Sequence, residues 1–187
     1  MFRNALFLAC AVLCVVMSSC GDVVEYNQKM QLEVDVDSID RFISKNNLTF
    51  TRHRTGLYSQ ILQAGGGDYE IEADDDILVN YTGKMLNGVI VERGDSVKLK
   101  YSGMIEGWRV GLPMIKPGGS IRLLIPSALA YTDKQVGLIP PNSNLDYVIV
   151  LRAIYRKGQL LPGTMPNDPD GDPATNDGGG VTLEPDY

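Results

Sequence analysis

Past residue 20 the chain contains no cysteine; Cys10, Cys14 and Cys20 are the whole supply. No disulfide can staple the body of the protein, so its stability has to come from a packed core. Histidine is equally scarce. His53 is the only one, set in the polar stretch Thr51-Arg52-His53-Arg54-Thr55 and expected at the surface, so His-based triads and His-rich metal sites lack material. Positive charge is in short supply too: 17 Lys and Arg face 23 Asp and Glu, for a formal net charge of -6. That balance gives no electrostatic attraction to nucleic acid and excludes it as an expected partner. Long apolar runs are missing apart from one, residues 5–17. It is shorter than the roughly 20 residues needed to span a bilayer.

That run follows Arg3 and leads into Ser18, Ser19 and Cys20, the charge, apolar stretch and small-residue cleavage site of a secretory signal. An ordinary signal peptide cut at Ser18 or Ser19, or a buried helix, is the plainer alternative. Met17-Ser18-Ser19-Cys20 resembles the bacterial lipobox, which implies cleavage before Cys20 and acylation of its thiol. At about 0.8 kcal/mol per buried CH₂, two or three acyl chains hold a protein on a membrane durably. The expected organisation is a lipoprotein signal peptide over 1–19 and a tether over 20–34. An amphipathic helix and lead-in strand follow over 35–55, then a folded domain over 56–157 and an acidic disordered tail over 158–187.

In the body, Val36, Ile39, Phe42 and Ile43 recur at helical spacing behind Asp35, Asp37 and Ser38 as candidate caps, and Asn46-Asn47 closes the pattern. From residue 48 the signals turn to strands, over 48–51, 56–62, 77–85, 89–91, 97–101, 120–125 and 145–155, separated by Gly, Asn, Asp and Pro clusters. Asn87-Gly88 predicts a hairpin with a type I′ turn. One more short helix fits, from near Trp108 to about Pro113, where a prolyl ring ends helical bonding. Fold class is therefore α+β: an antiparallel sheet curled around one short helix, with an N-terminal amphipathic helix and a disordered tail. Asp74-Asp75-Asp76 reads as a solvated turn, because consecutive carboxylates on an extended chain do not converge on one ion.

Val79-Asn80-Tyr81-Thr82-Gly83, Asn87-Gly88, Ile105-Glu106-Gly107-Trp108, the run GLPMIKPGGSIRLLIPSALAY over 111–131, and Leu138-Ile139-Pro140-Pro141-Asn142 with the closing strand from Leu145 occur in that order. The ordered set resembles an FKBP-type peptidyl-prolyl isomerase domain over residues 56 to 156. The resemblance implies a shallow apolar pocket between helix and sheet, an isomerase needing no cofactor or metal, and proline-containing exported polypeptides as partners. By the same resemblance Trp108 is the pocket floor, while the Ile105 backbone N–H and the Tyr131 hydroxyl donate to ligand carbonyls. Tyr81, Val91, Glu92, Val97, Met104, Ile139 and Tyr147 then form the substrate-binding surround. Read without the resemblance, Trp108 is equally a core residue, and Tyr81 and Tyr147 are ordinary cross-strand packing.

The chain also departs from the family pattern. Val91-Glu92 stands where Phe-Asp is usual, Val97 and Leu99 where aromatic residues are common, and Thr132 where Gly is usual; the loop over 132–139 is slightly short. A pocket with fewer aromatic walls grips proline less firmly. Three functions stay open: an active isomerase, an FKBP-fold binding or chaperone module with little turnover, and a surface-anchored scaffold. In the tail, Asp168-Pro169-Asp170-Gly171-Asp172 resembles a fragment of a calcium-binding repeat, but one copy with no bidentate Glu reads as solvated acid. The expected location is the cell envelope, with Cys20 holding the protein to a membrane, at the outer membrane or the periplasmic face.

Overall fold

The computed structural model describes residues 26–161. The signal stretch, Cys20 and most of the acidic tail lie outside the described residues.

The first element, helix α1, spans Gln28–Lys45. Asn27 caps it, its side chain accepting from the Met30 N–H at 3.1 Å. At the other end Asn47 takes a left-handed φ of 51°, the Asn47 N–H donates to the Ser44 carbonyl, and the Leu48 N–H donates to that of Ile43. These two bonds form a Schellman closure, and the helix ends at the Asn-Asn pair as expected. The start differs from expectation. Residues 28–34 are helix rather than tether, because Leu32 begins the stripe that Val36, Ile39 and Ile43 continue, and the polar run before it gives no periodic signal. Nor does Asp35 cap: it lies inside the helix, buried on the docked face, while Asp37 pairs with Arg41 on the exposed one.

All strand pairs are antiparallel, in the order β1-β2-β5-β6-β3-β4, with β7 on β6. The strands are β1 (Thr51–Arg52), β2 (Tyr58–Gln63), β3 (Asp76–Met85), β4 (Ile90–Lys100), β5 (Ser120–Ile125), β6 (Leu145–Arg156) and β7 (Gln159–Leu160). Two expected runs, 89–91 and 97–101, are a single strand. The turn-like residues between them form a bulge, where Ser96 has a φ of 52° and its N–H donates to the Asn80 side chain at 2.8 Å. The hairpin at Asn87-Gly88 is real but its turn is not type I′: only Gly88 has positive φ, and its N–H donates to the Met85 carbonyl. That is a three-residue loop with a left-handed glycine, which shifts the register so that Val91 has no partner on β3. The domain also runs past residue 157, since β7 pairs Tyr155 with Leu160.

The central strand β5 is buried on both faces, which explains its unbroken Leu-Leu-Ile. Inward, Ile121, Leu123 and Ile125 meet Trp108, Leu112, Tyr147 and Ile149; outward, Leu124 and Tyr58 meet Val36 and Ile39 of α1. Each such aliphatic side chain contributes about 1.5–3 kcal/mol on burial. Two ion pairs tie neighbouring segments of the sheet together. Asp75 is 1% exposed and receives Arg156 through two bonds of 2.9 Å, so the middle carboxylate of the triple Asp is a structural anchor rather than a solvated turn. Its partner guanidinium holds the Asp75 carboxyl below the usual range. Arg122 and Asp146 pair in the same bidentate way across β5 and β6. His53 is half-buried rather than exposed, its Nε2 2.8 Å from the Ser59 hydroxyl. Among the described residues no helix is long and apolar enough to cross a membrane.

Candidate functional site

The site is built around helix α2, Glu106–Gly111, which continues as a 3-10 turn over Leu112–Met114 where Pro113 stops it. It lies tight on β5 because Gly107 has no side chain: a Cβ there would come 2.4 Å from Ile125 Cγ2. Tyr101, which opens the 3-10 turn after β4, fixes the helix from the other side by donating its hydroxyl proton to the Arg109 carbonyl at 2.6 Å. So held, the Trp108 indole stands between Tyr81 and Tyr147, with edge-on contacts at centroid distances of 5.1 and 5.3 Å.

Over these rings opens a cavity of about 240 Å³ lined by Tyr81, Glu92, Leu99, Gly103, Met104, Ile105, Trp108, Tyr131 and Tyr147. Several of the polar groups around it have no protein partner. The buried Trp108 Nε1–H has no acceptor. Among the described residues the Ile105 N–H and the Tyr81 and Tyr131 hydroxyls make no hydrogen bond either, and Glu92 joins no ion pair. Burial raises the Tyr131 phenol to about 12, with the nearby Glu92 carboxylate adding to it, and raises Tyr81 for the same two reasons. Burial also raises the Glu92 carboxyl. What results is an apolar, aromatic slot that offers several unspent donors and a carboxyl at its rim. Such a slot suits a neutral, carbonyl-rich apolar ligand. It has no nucleophile paired with a base.

The structure brings Trp108, Ile105, Tyr131, Tyr81, Glu92, Met104 and Tyr147 together around this cavity. It does not bring the other three. Val91, the unpaired residue at the hairpin bulge, packs half-buried against the core. Val97 sits opposite Val79, and Ile139 is a core residue, 4% exposed. Leu99 takes the wall that sequence reading gave to Val97. Both face inward on β4, and only the register, with Leu99 opposite Ile77, puts Leu99 nearer the cavity. Counting back from Trp108 rather than forward from the hairpin would have found it, because the two bulges corrupt the forward count. Gly103 was also missed; it lines the cavity in the 3-10 turn before Met104.

A curled antiparallel sheet closed over a short helix, with a tryptophan-floored slot between them, defines the FKBP class of domain. Residues 67–152 match the family described as FKBP-type peptidyl-prolyl cis-trans isomerase, and this stretch is an FKBP-type domain. It is 40% identical over 101 residues to the FKBP-type peptidyl-prolyl cis-trans isomerase FkpA of Escherichia coli K12, a stretch covering 52% of this chain and 37% of that protein. It is 32% identical over 107 residues to the peptidyl-prolyl cis-trans isomerase Mip of Coxiella burnetii, covering 54% and 46%. The crystal structure of Escherichia coli FkpA superposes with a TM-score of 0.58 at 30% identity, over 68% of this chain and 62% of that one. The chain thus spans less than half the length of these two curated relatives.

Proposed function

We propose that the domain catalyses cis-trans exchange of X-Pro peptide bonds in exported polypeptides, from a lipid anchor on Cys20. One observation carries the chemical part: the apolar slot floored by Trp108 holds donors that no protein group uses. Amide resonance makes the barrier, about 18–20 kcal/mol for peptide bonds in general, and rotation about the C–N bond takes the amide through a less delocalised, less polar state. An apolar slot favours that state over the planar amide without nucleophile, cofactor or metal. In this reading the pyrrolidine ring lies on Trp108, and Met104, Leu99 and Tyr147 exclude water around it. The Ile105 N–H holds a flanking carbonyl, and the Tyr131 hydroxyl holds a second one.

The anchor is supported by the apolar run over 5–17 and by Met17-Ser18-Ser19-Cys20, and the cell envelope is the location that follows. A second reading, a binding or chaperone module with little turnover, is favoured by Leu99 in place of an aromatic wall and by the lack of any bond between Glu92 and the two tyrosines. A protease-coupled assay on a Leu-Pro or Phe-Pro peptide separates the two. An isomerase accelerates exchange and loses most of the acceleration in Trp108→Ala. A folded protein that binds proline peptides with no rate above background is the module. For the anchor, Cys20→Ser should lose the acyl mass and leave the membrane fraction; unchanged mass and partitioning would reject it.

A further inference from the structure

Asp35 is the feature that the pocket alone does not explain. It is a carboxylate buried to 1% exposure, on a helix outside the region matched to the family, and it has no cationic partner among the described residues. Carboxylates are rarely buried this way unless hydrogen bonds hold them. Here Oδ2 accepts from the Ser127 hydroxyl at 2.7 Å and from the Ala128 N–H at 3.2 Å, while Oδ1 accepts from Gln31 at 2.8 Å. The Gln28 amide adds a bond to the Ala128 carbonyl at 3.0 Å, and Asn144 bridges the Asp35 carbonyl and the Ser127 N–H.

Apart from the Gln31 bond, which lies within α1, these bonds tie the helix, directly or through Asn144, to one 3-10 turn, Ser127–Leu129. The Ser127 carbonyl in turn accepts the N–H groups of both Ala130 and Thr132, at 3.0 and 2.9 Å, and so brackets Tyr131 from either side. Tyr131 is the residue whose phenol enters the slot. Thr132 sits at a φ of 57°, a conformation a β-branched residue resists, so the segment needs an external restraint to stay as it is.

We infer that Asp35 is a positioning residue for the prolyl site, clamping the Ser127 turn from helix α1 so that the Tyr131 hydroxyl is held at the rim of the slot. The inference rests on the reading of that slot as the place where X-Pro peptides bind. It also gives α1 a task besides shielding Leu124 and Tyr58: the helix sets the geometry of one donor. Asp37, two residues on, points to solvent and provides the control.

The test is a double-mutant cycle on the full chain, with kcat/KM for a Leu-Pro peptide and the ring NMR signals of labelled tyrosine as readouts. Asp35→Ala should lower kcat/KM about three- to tenfold, the worth of one donor to a neutral carbonyl. In a Tyr131→Phe background it should cost almost nothing more, because the donor it positions is already gone. It should shift the Tyr131 ring signal and leave that of Tyr147 in place, whereas general loosening moves both. Ser127→Ala, which removes a single bond, should reproduce a smaller version of each effect and stands in if Asp35→Ala does not fold. Asp37→Ala should change nothing. Multiplying losses in the double variant, or a Tyr131 signal unmoved in both Asp35→Ala and Ser127→Ala, overturns the inference. A wild-type protein with no catalytic rate refutes the isomerase reading instead, and the tyrosine signals still decide the role of Asp35.

Discussion

Leu99→Phe should improve the slot, and Val91→Phe should not. Leu99 lines the 240 Å³ cavity beside Met104 and faces open space, so a ring there becomes a wall against the bound proline. An aromatic contact contributes about 0.5–1.5 kcal/mol beyond its buried area, so peptide affinity or kcat/KM should rise about two- to tenfold. The fold should tolerate the change, since an apolar exchange into a space with room usually costs under about 1.5 kcal/mol. Val91 differs in surroundings. It is the unpaired residue of the hairpin bulge and packs against the core, so a larger side chain there has to push β4 outward at a cost of about 1–3 kcal/mol. It would lower the melting temperature and tighten nothing. Trp108 is the only tryptophan, so its fluorescence reports ligand entry directly, and the same samples serve for the coupled assay and for thermal melts. If Val91→Phe raises affinity while Leu99→Phe leaves it unchanged with both proteins folded, the placement of the cavity wall is wrong.

Two further outcomes follow from the site and its loop. Burial raises the folded-state pKa of Glu92 above its unfolded value, so the folded protein keeps the proton longer and stability falls as pH rises from the unfolded value through the folded one. Glu92→Gln should therefore raise the melting temperature at pH 8 and change it little at pH 4; a loss confined to pH 8 would mean that the carboxylate is held by a favourable partner. Thr132, at a φ of 57°, occupies a conformation that glycine adopts without strain, and Thr132→Gly should stabilise by about 1 kcal/mol in denaturant melts, offset in part by the loss of the hydroxyl bond to the Tyr131 carbonyl. A lower denaturation midpoint would show that this bond outweighs the strain.

The local pattern of the chain determined the strand content, the proline-terminated helix and the Asn-Asn end of α1. Each depends on nearest neighbours: alternation of polarity, a ring that blocks helical bonding, a residue type that tolerates left-handed backbone. The family resemblance added the grouping of Trp108, Ile105, Tyr131, Tyr81, Glu92, Met104 and Tyr147, because the order of motifs carries a topology that no single motif contains. Two things depended on the folded chain. Which of Val91, Val97 and Leu99 reaches the slot turned on two bulges in β4, where one extra residue moves every later side chain along the ladder. Whether an aspartate is solvated or structural depended on who meets it: Asp35 looks like Asp37, Asp75 like Asp74 and Asp76, and nothing local marks Asp146, until Ser127, Arg156 and Arg122 arrive from 92, 81 and 24 residues away. Tertiary structure alone brings such pairs together, since the bonds that decide burial run between residues with no sequence relation to one another.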